Sequence, residues 1–440
     1  MNPKLRMLLM SGPPRWMHRN AVYAANFSAG QYYLNRAKAP QSAIETTTRA
    51  GSGWLDSIGG IWSEFLSNVA RRTDRGLAVG GAFTNKIRNP RGEGGTVGVI
   101  GSGGVLPTNW AVEQAMSGVA TSFVGAGNLS DGRSYIDIGL SGTLSGANAL
   151  IIRMESATYA TASAGQAWGL DFGSKLQAGT TAGLSAVEAH IRDSAAVLLA
   201  ESSESGLSGA ETRLLAKGVT SGTPTSVYPR FVVDSLNNGA AVDATIRIYA
   251  PKLVQIYNNA GVAGFMPSFP ILPAVGVPAD STKAADVITT PTFTWYAPLA
   301  SAGSELIAST ITHVDDGVAR PLFEYSDGTA NNIIRGYLNS ADKPTFRVIT
   351  GGVTQVTATL TTAVTAGNSA FAFGWSASGG FLTNGTEIVT FGAISIPTVT
   401  QKRIGSSVLL DYFNDILRIV EGCYPLTSAE AAAEALRIAA

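Results

Sequence analysis

The run RSYIDIGL, residues 133–140, sets Ile136, Ile138 and Leu140 on one side of an extended chain and Tyr135 and Asp137 on the other. A two-residue period is the signature of a strand, so the segment belongs in a sheet with one apolar face. ATIRIYA, residues 244–250, repeats the device, with Ile246 and Ile248 opposite Arg247 and Tyr249. Between them lie ALIIRM, QAWGLDF, AVEAHIRD, AVLLAE and YPRFVVD. About eight strands at short, turn-marked spacing predict an antiparallel sandwich or jelly roll over residues 86–258.

A proline-rich stretch follows, with Pro267, Pro270, Pro273 and Pro278. Proline cannot donate to a ladder and holds an extended path, so residues 259–284 read as a semi-rigid linker. The β pattern then resumes in PTFTWYA, PLFEYSDG, NNIIRGYLNS, TFRVITGG, AFAFGWSAS and YFNDILRIVEG, predicting a second sandwich over 285–440. Its tail, LTSAEAAAEALRIAA, reads as a helix in which Thr427 and Glu430 form a capping box. Residues 1–85 carry basic clusters and Trp16, Trp54 and Trp62, and read as ribbons rather than a packed core. The expected fold is therefore all-β: tandem antiparallel β-sandwich or jelly-roll domains with an extended N-terminal anchoring region and a short C-terminal helix.

Several function classes are disfavoured. Lys plus Arg equal Asp plus Glu at 31 each, so there is no basic excess to attract a phosphate backbone, and no nucleic-acid partner is expected. The apolar patch Met7-Leu8-Leu9-Met10 is too short for a signal-peptide core, and no window is long enough to span a bilayer, so no membrane insertion is expected. One cysteine, Cys423, leaves no intrachain disulfide framework. In TVGVIGSGGVLPTNW, residues 96–110, an apolar run enters the glycines 101, 103 and 104 as a strand enters a dinucleotide loop. The last glycine of that fingerprint, the helix and the later acid are missing, so the stretch reads as a turn and no cofactor is expected.

Catalytic and metal motifs are equally thin. There are three histidines, and His190 in VEAHIRD reads as an ordinary strand residue. His313 with Asp315 and Asp316 reads as a solvated turn. Gly374-Trp375-Ser376-Ala377-Ser378 lacks the final glycine of a nucleophile elbow and sits in an alternating strand. No catalytic residue and no metal ligand is assigned, and the chain is expected not to be an enzyme. What remains is recognition. Tyr135 with Asp137, Arg247 with Tyr249, and Arg335 with Tyr337 lie opposite apolar strand faces and are expected to be exposed. Aromatic faces beside planar polar groups suit carbohydrate, although ordinary solvent-side or subunit-contact roles explain the same pairs. Trp168 and Trp375 are expected in the cores.

TTTRAGSGWLDSIGGIWSEFLSNVARRTDRGLAVGGAFTNKIRNPRGEGG, running toward LPTNW, resembles a segment of bacteriophage tail-fibre and virion spike proteins. GQAWGLDFGSKLQAG and DATIRIYAPKLVQ resemble strands of the carbohydrate-binding-module-like jelly roll that follows it in those proteins. LFEYSDGTANNIIRGYLN, TNGT and YFNDILRIVEGCYPLTSAEAAAEAL resemble a concanavalin A-like or laminin G-like sandwich. The resemblance implies a head spike or tail fibre of a phage or gene transfer agent, assembled in the bacterial cytoplasm and displayed on the virion. Its implied partners are a host cell-surface polysaccharide, other virion proteins through the N-terminal region, and further copies of itself. A polysaccharide depolymerase and a purely structural decoration protein are the alternatives.

Overall fold

The computed structural model describes residues 14–146, 148–236, 239–256, 266–290, 299, 301–314 and 317–439. The expected turn at Asp315-Asp316, the patch at 7–10, the strand PTFTWYA and the start of the proline-rich stretch lie outside the described residues. Elsewhere the chain is a set of antiparallel sheets, with one helix of regular length, Ser428–Ala439, among the described residues.

Contacts divide the chain into two units, one of residues 59–64 and 82–283, the other of 1–58, 65–81 and 284–440. In the 82–283 unit one sheet has six strands in the order Gly98–Val99, Val119–Asn128, Ser134–Thr143, Ala241–Ile256, Ala167–Thr180 and Thr212–Val219. The second runs Ala111–Gln114, Leu150–Arg153, Ser226–Ser235, Leu184–Asp193 and Leu198–Glu204. The alternation seen in the sequence is the packing plan. Ile136, Ile138, Ile246 and Ile248 point inward with Trp168, Phe172 and Phe231 into a single core.

The glycine stretch at 96–110 is a tight reversal. Thr96 bridges Val105, Ile100 bridges Gly104, and Gly98–Val99 pairs with Phe123 and Ser122. Gly101 and Gly103 have φ of 84° and 98°, and a Cβ on Gly104 would stand 2.1 Å from the Gly98 carbonyl oxygen. The glycines are there to let backbone approach backbone, and Trp110 is buried in the adjoining core.

The other unit is again built from two sheets. Its ten-stranded sheet runs Ala37–Lys38, Gln31–Leu34, Ala21–Asn26, Asp415–Cys423, Gly303–Ile311, Gly367–Ser376, Gly379–Thr383 and Ile388–Phe391, with Gly76–Val79 and Arg72–Thr73 branching from Asp415–Cys423. The seven-stranded sheet ends in Val287–Thr289 and Thr46–Thr48. Phe323, Phe346, Phe373 and Trp375 pack between them, with Phe346 and Trp375 stacked at 6.0 Å. Both tryptophans expected in cores are there.

The segment expected as an extended N-terminal ribbon differs from that expectation. Ala21–Asn26 is a strand paired on both sides, between Gln31–Leu34 and Asp415–Cys423, and Val22, Tyr23 and Phe27 belong to the core. The physical reason is visible in AVYAAN, whose six residues are nearly all buried and are too apolar to remain a solvated ribbon. The C-terminal helix carries the expected cap: the Glu430 amide donates to Thr427 Oγ1 at 3.2 Å, and the Thr427 amide to Glu430 Oε2 at 3.0 Å.

Candidate functional site

In the 82–283 unit the outer face of the six-stranded sheet carries a cleft of about 220 Å³. Trp62, Arg133, Asp171, Gly173, Glu211, Arg213, Tyr249, Lys252 and Pro270 are among its lining residues. A backbone irregularity brings Tyr249 and Lys252 to the same face. Across Ala167–Thr180 and Ala241–Ile256, Gly173 pairs with Tyr249 but Asp171 pairs with Lys252, so one strand advances two residues while the other advances three. The extra residue lies at Ala250-Pro251, where Ala250 has φ of 38°. Such a bulge inverts the in/out alternation beyond it: Ile246 and Ile248 face the core before it, Leu253 after it.

Every charge described at the cleft is held by an opposite one. Asp171 receives Arg213 Nε at 2.7 Å and Nη2 at 3.0 Å, and also the Lys252 ammonium. Burial works against the Asp171 carboxylate, but the Lys252 and Arg213 charges outweigh it and hold the carboxyl below its usual range. Arg133 donates from Nη1 and Nη2 to the two Glu211 oxygens at 2.6 and 2.9 Å, and from Nε to Asp131 at 2.9 Å. Its guanidinium carbon sits 5.0 Å above the Tyr249 ring. Trp62, half-buried, is fixed by its amide donating to the Asp131 carbonyl at 3.1 Å. The result is a depression with two aromatic rings and several planar polar groups whose orientations are set before anything arrives.

The residues singled out from the sequence are distributed differently. Tyr135, Asp137, Arg247 and Tyr249 do come together, because Tyr135 pairs with Tyr249 and Asp137 with Arg247 across neighbouring strands. Arg247 binds both Asp137 oxygens, at 2.8 and 2.7 Å, and stacks 3.9 Å above the Tyr135 ring. They are not the exposed groups expected: Asp137 keeps 6% and Tyr249 4% of its surface. Ion pairing and cross-strand stacking cover them, and of the four only Tyr249 lines the cleft. Arg335 and Tyr337, in the other unit, are likewise buried, at 6% and 8%. The Arg335 guanidinium stacks 4.4 Å from the Tyr337 ring and lies 3.6 Å from Asp411, so that pair too is turned onto its own neighbours.

Trp62, Arg133, Glu211, Arg213 and Lys252 are the cleft residues that sequence reading missed. A signal for the bulge was present: Pro251 inside an alternating strand, followed by a parity change from Ile248 to Leu253. No comparable signal exists for Trp62, which reaches this site from 109 positions before Asp171 (171 − 62).

No protein-family model matches the chain, and no curated protein matches it significantly. Among solved structures, the CBM40 of Ruminococcus gnavus IT-sialidase bound to α2,3-sialyllactose is similar over 32% of this chain and 86% of its own, at 15% identity and a TM-score of 0.27. The tandem CBM22 domains of Paenibacillus barcinonensis Xyn10C overlap 76% of this chain and 91% of theirs, at 10% identity and a TM-score of 0.23. An arabinose-bound α-L-arabinofuranosidase, MgGH51, overlaps 48% of this chain and 32% of its own, at 10% identity and a TM-score of 0.28. These overlaps are too loose to transfer a ligand or a binding residue.

Proposed function

We propose that the chain is a virion adhesin that binds a host cell-surface polysaccharide through the cleft at Trp62, Tyr249, Asp171, Arg213, Arg133 and Glu211. The observation that carries this reading is the placement, in one depression, of the half-buried Trp62 ring beside pre-oriented planar donors and acceptors. A sugar presents C–H groups on one ring face and hydroxyls at its rim. The half-buried Trp62 ring suits the first, and the fixed edges of Arg213, Arg133 and Glu211 suit the second.

The particle assignment rests on the resemblance of the 46–110 region to tail-fibre and spike segments. A head or tail site repeated by symmetry would also supply avidity to weak individual cleft contacts. Binding without cleavage is favoured over depolymerisation by the state of the cleft acids. A general acid of a glycosidase needs a raised pKa, whereas Asp171 is held low by two cations and Glu211 is locked to Arg133.

The test is to incubate the full chain with host capsular polysaccharide, measuring affinity by calorimetry and polymer length by size exclusion. Saturable binding is expected with unchanged length, and Trp62→Ala should weaken it at least about tenfold, or ~1.4 kcal/mol. Shortened polymer, or a Trp62→Ala chain binding as before, overturns the reading. Immunogold labelling of intact particles tests the virion assignment separately. Truncating residues 1–85 would be a poor alternative, because it would strip Ala21–Asn26 from the middle of a sheet.

A further inference from the structure

The second sheet of the 82–283 unit carries a separate polar cluster. Glu188 and His190 are two residues apart on Leu184–Asp193 and project from the same face, and His190 pairs directly with Glu201 on Leu198–Glu204. His190 Nε2 lies 2.6 Å from Glu188 Oε2 and 3.7 Å from Glu201 Oε2. One nitrogen and two oxygens, one from each residue, lie within 4.8 Å of one another. His190 keeps 8% of its surface, and its Nδ1 is buried without a hydrogen-bond partner. Glu201 is exposed, so the cluster opens to solvent on that side.

The charges around it are unbalanced. Asp234, on the neighbouring strand Ser226–Ser235, pairs with Ala186, two positions from Glu188, and adds a further carboxylate on this side of the sheet. Arg230, opposite His190, turns its guanidinium to Glu113 and to the Tyr228 hydroxyl, 3.2 Å away. Arg192, on the same strand, donates to the Ala196 carbonyl at 2.7 Å. Two carboxylates therefore flank one imidazole while the neighbouring guanidinium groups are engaged elsewhere.

We propose that Glu188, His190 and Glu201 form a binding site for a divalent first-row transition ion, with zinc as its probe. An imidazole nitrogen with two carboxylate oxygens is a donor set of that class, and the solvent-facing side leaves room for water as a further ligand. Without metal, Nε2 lies at hydrogen-bonding distance from Glu188. An imidazole that ligates through Nε2 carries its proton on Nδ1, which here has no acceptor, so the expected affinity is on the order of micromolar rather than nanomolar. The site lies on the sheet opposite the glycan cleft, and neither reading depends on the other.

The test is calorimetric titration of the full chain with zinc chloride in chelator-free buffer, with cobalt(II) absorption reporting the ligand geometry. One saturable equivalent is expected. Glu201→Gln, an exposed change that should leave the fold intact, should weaken it at least about tenfold. His190→Gln should remove it, with urea unfolding of that variant checking the fold, while His18→Gln and His313→Gln should leave it unchanged. No saturable binding at millimolar zinc, or a Glu201→Gln chain binding as the parent does, overturns the proposal.

Discussion

The two units use ion pairs in opposite places. In the 82–283 unit the Asp171–Arg213 and Glu211–Arg133 pairs stand on the outer face of a sheet and line a cleft. In the other unit several pairs are interior. Lys402 Nζ meets Glu305 Oε1 at 2.5 Å with both side chains fully buried, and the Tyr325 hydroxyl donates to Glu305 Oε2 at 3.1 Å. Arg320 bridges Asp342 and Asp415, and Arg49 and Arg71 share Asp286 at 2.9 and 2.6 Å, all out of solvent. Both arrangements satisfy their charges, but only the outer one can offer an edge to a ligand. A dense ion-pair network is thus a poor guide to a binding surface until its side of the sheet is known.

The largest expected effect breaks an interior pair. Lys402→Met should destabilise the chain by about 3 kcal/mol, because it leaves the fully buried Glu305 carboxyl, which burial already pushes well above its usual range, without its Lys402 donor. Adding Glu305→Gln should recover most of the loss, since an amide oxygen still accepts from the Tyr325 hydroxyl. Guanidinium unfolding of parent, single and double variants measures both steps. A single-variant loss below ~1 kcal/mol would show that the interior pair holds nothing, and the contrast between the units would collapse.

The next effect is a pH dependence. Burial pushes the Glu421 carboxyl from 4.5 up to about 7, although the His18 amide donates to its Oε2 at 2.9 Å. The folded chain therefore binds this proton more tightly than the unfolded chain. Stability should be highest with respect to this group below about pH 4.5 and should fall as pH rises through about 7. Glu421→Gln keeps an acceptor for His18 and removes the titration, so at pH 8 it should stabilise by up to roughly 3 kcal/mol. Equal stability curves for variant and parent from pH 4 to 8 would refute the assignment.

The contrast also explains what the sequence could convey. Strands such as Ser134–Thr143 were legible because period-two alternation is local, and the Thr427–Glu430 cap was legible because its partners are three residues apart. The pairing of Ala21–Asn26 with Asp415–Cys423 left no local mark, since each strand looks the same whichever edge it joins. Site residues failed for a related reason. Alternation told which side of a strand Asp137 and Arg247 occupy, but not that they would bind each other and be covered. The grouping of Glu201 with His190 likewise depends on a cross-strand register that no spacing announces.

A smaller stability effect is expected at the cleft itself. Arg213 is partly exposed, and Arg213→Gln should cost no more than about 1 kcal/mol because solvent screens the pair and Lys252 still serves Asp171. Polysaccharide affinity should nevertheless fall about tenfold, since a fixed planar donor is lost. Parallel thermal melts and calorimetry separate the two. A large drop in melting temperature with unchanged affinity would place Arg213 with the structural pairs of the other unit.

The smallest stability change sharpens the comparison most. Gly173 lies in the cleft floor, where a Cβ would come 2.4 Å from Glu211 Oε1 and 3.0 Å from Tyr249 Cδ2. The first of these is the end of a flexible side chain and can swing away, and alanine suits a strand better than glycine does. Gly173→Ala should therefore change stability by less than about 0.5 kcal/mol. It should still weaken polysaccharide binding several-fold, because it shifts Glu211 from Arg133 and fills the space beside the Tyr249 ring. Calorimetry against the same polysaccharide reads the result. Unchanged affinity would mean that the space between these residues is not where the sugar sits, and the outer pairs would then be as purely structural as the inner ones.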